Sequence, residues 1–177
     1  MLLRSFGLLL DHCADSAARW MAHRAKIDGL VVIADAKESD EELLTELGVD
    51  IIVPRSDDFV GEVKKHFPDG VDGMADGALF ADSDPDSCIP AVKDGGAFTS
   101  IRGFKPKGDI RGIDFSVTMC VQYDGDYEKL DTIRQQVEDG DVTLRVAGTV
   151  APEQAGEAMA ALDAGGSRGR WVVNFGA

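Results

Sequence analysis

Residues 25–54 read AKIDGLVVIADAKESDEELLTELGVDIIVP, and the hydrophobic period changes twice within them. Leu30 to Ala34 is a short unbroken apolar run rich in β-branched residues, the pattern of a strand buried on both faces. Ser39-Asp40-Glu41-Glu42 then sets a capping hydroxyl and acidic side chains in a first helical turn. Leu43, Leu44 and Leu47 give that helix its buried face, and Gly48 stops it. Asp50 to Pro54 returns to a strand. Alternation of this kind predicts an α/β sheet in preference to a bundle or a sandwich.

The pattern extends both ways. Upstream, Ala17 to Ile27 has helical spacing through Ala17, Trp20, Met21, Arg24 and Ala25, and Asp28-Gly29 ends it. Downstream, Asp57 to His66 reads as a helix with Phe59, Val60 and Val63 inward, Pro68-Asp69-Gly70 as a turn, and Val71 to Asp76 as a strand. Residues 78 to 90 predict a loop that becomes a short helix near Pro90 to Lys93, and Asp94-Gly95-Gly96 turns into the strand Ala97 to Ile101. Arg102 to Arg111 is expected as an exposed loop. Ile113 to Val121 predicts a strand, Asp126 to Glu138 a helix, Leu144 to Val150 a strand, Ala151 to Ala164 a helix and Arg170 to Phe175 a closing strand.

The 177 residues carry 32 acidic and 18 basic side chains, a net charge of −14, and are 44% hydrophobic and 28% charged. This is a globular chain of about one domain. Such a charge repels a phosphate backbone, and no Lys/Arg stripe interleaved with aromatics reverses it, so nucleic acid is not an expected partner. Phe6 to Leu10 is cut off by Asp11, and no apolar run is long enough to cross a bilayer. The Asp-His-Cys that follows lacks a small-residue cleavage site, so no signal peptide is expected. Cys13, Cys88 and Cys120 are too widely spaced for a CxxC site or a disulfide framework, and a cytoplasmic location is the expectation.

From Ala25 onward the chain resembles the C-terminal half of a medium-chain dehydrogenase/reductase, in the quinone-oxidoreductase-like branch of the zinc-type alcohol dehydrogenase superfamily. The stretches that carry the resemblance are AKIDGLVVIADA, ELGVDIIVPRSDDF, DGVDGMADGA, AVKDGGAFTSIRG and VAGTVAPEQAGEAMAALDAGGSRGRWVVNF. The last places an acid-bearing helix before Gly-Gly-x-Arg-Gly-Arg and an apolar strand, which resembles the family's usual chain ending.

The resemblance implies a Rossmann-like, mostly parallel sheet with flanking helices over residues 25–177, binding a dinucleotide across the carboxyl ends of its strands. At the end of the strand Leu30 to Ala34, Asp35-Ala36-Lys37 offers both signs of charge. An acid there accepts from a ribose 2′-OH and favours NAD(H), whereas a lysine pairs with a 2′-phosphate and favours NADP(H). By the family's register the ribose-binding acid falls at Ala36, with Asp35 one place early, so the expectation is NADP(H) through Lys37. The structural alternative is a turn aspartate and a solvated lysine. Carried over residue by residue, Gly77 and Ala78 resemble the adenosine side. Ile101, Arg102 and Gly103 resemble the passage beside the nicotinamide ribose, with Gly103 allowing close approach. Phe115 to Val117 would present backbone groups to the carboxamide. Buried strands and turn glycines account for the same residues without a ligand.

The departures lie in residues 1–24. Relatives carry a separate GroES-like catalytic domain and open the Rossmann unit with a strand and a Gly-rich loop that holds the pyrophosphate. Here Cys13-Ala14-Asp15-Ser16-Ala17-Ala18-Arg19-Trp20 has no glycine, and Asp15 opposes a phosphate. The first strand and loop therefore read as degenerate, and a truncated or frame-altered N-terminus is expected. Leu2 to Leu10 is the one segment able to supply that strand, with Ser16 capping the helix and Arg19 compensating charge.

No zinc is expected, since the ligands lie mainly in the absent domain and there is no Cys₄ cluster. His12, His23 and His66 are scattered, Cys13 has no identifiable base, Trp20 and Trp171 read as core, and Asp82, Asp84 and Asp86 read as a solvated loop. No side chain is assigned as catalytic. The resemblance thus implies hydride transfer between NADPH and a small quinone, enone or carbonyl, and a homodimer through an edge strand. The competing expectation is a non-catalytic Rossmann-like remnant, supported by the missing glycines. A methyltransferase-like fold also places an acid after its second strand, but the Gly-Gly-x-Arg-Gly-Arg ending argues against it.

Overall fold

The computed structural model of the chain describes residues 7–10, 16–77, 87–101, 104, 106–142, 145–165, 167 and 169–176, with the backbone alone at 9–10 and 16–20. Within these residues the chain runs β1 (Gly7–Leu10), α1 (Ser16–Ile27), β2 (Val31–Ala36), α2 (Glu41–Glu46), β3 (Ile51–Pro54), α3 (Phe59–His66), β4 (Val71–Asp76), β5 (Val92–Ser100) and β6 (Asp114–Val117). It continues through α4 (Tyr127–Glu138), β7 (Val146–Val150), α5 (Ala155–Asp163) and β8 (Arg170–Val173). Single 3₁₀ turns at Glu38–Asp40, Ile89–Ala91, Cys120–Tyr123 and Pro152–Gln154 join several of them.

Six strands form one wholly parallel sheet in the order β3-β2-β1-β4-β5-β6. That order is a Rossmann sheet, with the strand order reversing between β1 and β4. Gly7–Leu10 therefore fills the central first-strand position, hydrogen-bonded to β2 on one side and β4 on the other. Residues 2–6 and the glycine-free stretch 11–15 lie outside the described residues.

Helix ends fall where the glycines predict them. At α1, the Leu30 amide donates to Ala25 O and the Gly29 amide to Lys26 O, each at 3.0 Å, with Gly29 at φ 74°. Gly48 repeats the arrangement after α2, the Val49 amide reaching Leu44 O at 3.1 Å. A left-handed residue is required at both closures, and glycine adopts it without a Cβ penalty. Asp58, one residue later than the expected helix start, caps α3 by accepting from the Gly61 amide at 3.0 Å.

The sheet buries both faces. Val32, Ala34, Ala36 and Ala75 pack against Ala22 and Ala25 of α1 and Leu44 and Leu47 near α2. Ile33, Val53, Met74 and Phe98 face the other way, onto Phe59 and Val63 of α3. Alternation of side chains along each strand sends successive residues to opposite layers. At the amino edge two aspartates tie strands together. Asp50 accepts from the Val32 amide at 2.8 Å and from Lys26 Nζ at 2.7 Å, and Asp72 accepts from the Gly7 amide at 2.8 Å and from Lys93 Nζ.

Two expected boundaries move for physical reasons. β5 begins at Val92 instead of Ala97, because Val92 pairs with Val71 before the ladder jumps to Gly73 and Ala97. The Asp94-Gly95-Gly96 turn is the irregularity inside that strand, with Gly95 at φ 69°. β6 stops at Val117 instead of Val121, since β5 ends at Ser100 and the Gln122 side chain takes the Met119 amide into a 3₁₀ turn at 3.2 Å. The segment after β5 is also less exposed than expected. Phe104 packs edge-on to Phe98 at 6.0 Å between centroids, and Ile110 packs against the same core.

Beyond α4, β7 and β8 form a separate parallel pair. A Cβ at Gly148 would stand 2.4 Å from the Trp171 ring, so this strand needs glycine at that position. The Trp171 indole donates to Ser167 Oγ at 3.2 Å. Among the described residues, no helix is long and apolar enough to cross a membrane.

Candidate nucleotide-binding site

The parallel register fixes which residues share the carboxyl edge of the sheet. Asp35 aligns with Val53 of β3, Asp76 with Ser100 of β5, and Ser100 with Val117 of β6. Leu10 of β1 pairs with Ala34 and Ala75, so Asp35 and Asp76 each stand one residue further out on either side of β1. At the usual spacing between strands they lie roughly 10 Å apart, flanking the point where the strand order reverses.

The buried polar side chains concentrate here. Asp35, Asp40, Asp76 and Ser100 are the buried polar residues among those described, and three of the four lie in this last row of the ladder. None of these is free of a partner. Polar groups are buried at a cost unless they are bonded, so a row of them at one sheet edge marks a place built for polar contact.

At the β2 end, Arg55 Nε donates to Asp35 Oδ2 at 2.8 Å, with the aspartate side chain 2% exposed and the arginine 28%. Arg55 is carried by the turn after β3, where its amide donates to Ala36 O at 3.1 Å. A cavity of about 460 Å³ opens at this pair, lined by Asp35, Arg55, Ser56, Asp57, Phe59 and Ser87. The guanidinium and the hydroxyls in this hollow can donate to a phosphorylated ribose, the chemistry that a dinucleotide's adenosine end requires, while the Asp57 carboxylate opposes a phosphate.

The sequence-derived residues fall around the same edge. Lys37 is exposed, two residues past Asp35, at the start of the 3₁₀ turn Glu38–Asp40. Gly77 follows β4, and Ile101 follows β5, its amide donating to Asp76 O at 3.3 Å. Val117 closes β6 in the row of Ser100. Phe115 lies two residues deeper, its ring packed on Phe98 at 5.4 Å and Phe104 at 6.1 Å. Ala78, Arg102 and Gly103 lie outside the described residues, as does the aspartate-rich loop at 81–86.

Sequence reasoning missed Arg55, Asp76 and Ser100. Arg55 hides in a strand-ending turn, and only the β2–β3 register, pairing Asp35 with Val53, brings it to Asp35. Asp76 and Ser100 were legible as strand ends, and their polar character at the close of apolar runs was the available signal. Among the described residues, no three His, Cys, Asp or Glu side chains gather as a metal site.

No protein-family model matches the chain, and no curated protein does. Solved structures do. An NAD-dependent alcohol dehydrogenase is 21% identical with a TM-score of 0.80, over 96% of this chain and 51% of its own. The fold is that of the Rossmann half of such a dehydrogenase. A mycobacterial quinone oxidoreductase is 18% identical with a TM-score of 0.78, over 96% of this chain and 56% of its own. A probable oxidoreductase from Mycobacterium abscessus matches with 18% identity and a TM-score of 0.76, over 96% and 54%. The chain thus spans about half the length of the structures it matches.

Proposed function

We propose that this chain is the nucleotide-binding part of an NADP(H)-dependent oxidoreductase of the medium-chain dehydrogenase/reductase kind. The observation that carries this reading is the row of buried polar residues, Asp35, Asp76 and Ser100, at the carboxyl edge where the strand order reverses. The relatives in fold support it, since they include an NAD-dependent enzyme and a mycobacterial protein complexed with NADPH. Bound there, NADPH supplies a hydride, and the substrate class is a quinone, enone or carbonyl.

In this reading the chain's residues bind and orient. Lys37 and Arg55 pair with the 2′-phosphate of the adenosine ribose. Gly77 and Ala78 line the adenosine side, Ile101, Arg102 and Gly103 border the nicotinamide ribose, and Phe115 to Val117 offer backbone groups to the carboxamide. β6, an outer strand of the sheet among the described residues, pairs with a second copy of the chain.

A fluorescence titration of the 177-residue chain with NADPH and, separately, NADH tests the proposal. Saturable binding with NADPH preferred is the expected result. A folded chain that binds neither at millimolar concentration would replace this reading with a non-catalytic Rossmann-like module.

A further inference from the structure

We propose that the cavity between α1, the 3₁₀ turn Cys120–Tyr123 and α4 is a second small-molecule site, which takes an aromatic carboxylate. The proposal goes beyond the nucleotide-binding reading and does not depend on it.

This cavity measures about 540 Å³, within the range of roughly 300–1,000 Å³ common to small-molecule pockets. Among the described residues it shares no wall with the cavity at Asp35 and Arg55. Leu130 and Ile133 of α4 and the Tyr123 ring give it an apolar side, and Arg24 lines it from α1. Leu130 and Ile133 are three residues apart and so share one face of the helix. The apolar face of a packed helix is buried, yet no side chain of α4 is, and Leu130 is 54% exposed. Apolar surface left facing a hollow gains free energy when an apolar ligand covers it.

The hollow is held open from both ends of α4. Where the helix starts, Asp126 accepts from the Lys129 amide at 3.0 Å, and the chain leading into it is fixed to the sheet by the Thr118 amide on Ser100 O at 3.0 Å. Past its end, His23 Nδ1 of α1 donates to Asp141 O at 3.2 Å. These tethers set α4 at a fixed place beside α1, instead of leaving it free to slide until the space is filled.

The charged groups at the cavity favour an anion. Lys129 Nζ stands 4.2 Å from the Tyr123 ring centroid and makes no ion pair among the described residues. Arg24 uses Nη2 on Asp28 at 2.6 Å, which leaves its other donors. Against these two cations stands one lining acid, Asp126, whose Oδ1 is taken by the Lys129 amide. In a chain of net charge −14 the local balance is therefore positive. An aromatic ring lies against Tyr123 and Leu130, and a carboxylate on it meets Lys129.

The test is a calorimetric titration of the full chain with 2-naphthoate and, separately, with the neutral 2-naphthalenemethanol. Cys120, exposed on the cavity wall, reports occupancy through its rate of alkylation by iodoacetamide, read on its own peptide by mass spectrometry. The expected result is saturable binding of 2-naphthoate, tighter than that of the alcohol, with Cys120 alkylation slowed. Ile133→Trp places an indole in the cavity and should remove binding and protection together. Lys129→Gln should weaken 2-naphthoate by about fivefold or more and leave the alcohol unchanged. Thermal melts establish that each variant folds, and Lys129→Gln with the Cys120 readout decides the matter if Ile133→Trp does not. No saturable binding to the folded wild-type chain at millimolar concentration, binding that leaves Cys120 alkylation unchanged, a folded Ile133→Trp that binds as before, or equal loss of both probes in Lys129→Gln would each overturn the proposal.

Discussion

Replacing Phe98 with alanine is expected to cost about 3–5 kcal/mol of folding free energy. The ring is 1% exposed in the middle of β5 and packs with Phe115 at 5.4 Å and Phe104 at 6.0 Å between centroids. Removing it abandons apolar burial and also the edge-on aromatic contacts, and a sheet pinned on both sides by β4 and β6 has little room to collapse into the gap. Urea denaturation of Phe98→Ala against Phe175→Ala measures this. Phe175 is 83% exposed, and its truncation should change stability by less than about 0.5 kcal/mol. Equal effects at the two positions would mean that the aromatic cluster under β5 is not a core.

Asp72→Asn is expected to destabilise the chain by about 1–3 kcal/mol at neutral pH and to flatten its acid transition. Burial opposes the charge on Asp72, but the hydrogen bonds from Lys93 and from the Gly7 amide outweigh it and hold the carboxyl below the usual carboxylate range. Asp50 is lowered in the same way, with Lys26 and the Val32 amide overcoming its desolvation. A carboxyl with a depressed folded pKa contributes stability that is fully present above the unfolded value, about 3.9, and lost as pH falls through the folded value. The gap between wild type and Asp72→Asn should therefore be constant above about pH 5 and close below about pH 4. Unfolding curves taken from neutral to acid pH measure it. A gap that persists undiminished after protonation would show that the loss comes from shape and not from charge.

These two positions also mark what could be read in advance. Phe98 belongs to an apolar strand, and the period of the sequence placed it. The same holds for β2, α2, β3, α3 and β4, where β-branched runs and glycine stops agree with tertiary packing, as at Gly29 and Gly48. Asp72 was not legible, because its role depends on β4 lying beside β1 and β5, a neighbourhood set by strand order and not by local pattern. The early start of β5 was hidden for a related reason: Lys93-Asp94-Gly95-Gly96 has turn chemistry, yet Val92 before it is claimed by Val71.

The N-terminal strand shows the same limit from the other side. Gly7–Leu10 has no glycine-rich loop after it, so the first strand and its loop read as degenerate. Its place at the centre of the sheet follows from partners on both sides that no nearby residue announces. The candidate site divides likewise. Asp35, Lys37, Gly77, Ile101 and Val117 were readable as residues at strand ends, whereas Arg55 reaches Asp35 only through the β2–β3 register.

The most direct test of the nucleotide-binding account is a titration of the isotopically labelled chain with NADPH, followed by backbone amide NMR. Saturable shifts concentrated at Asp35 to Lys37, Arg55, Asp76, Gly77, Ser100 and Ile101, with the amino-edge residues Asp50 and Asp72 unmoved, are the predicted result. Shifts confined to the amino edge, or none at saturating nucleotide, would contradict it.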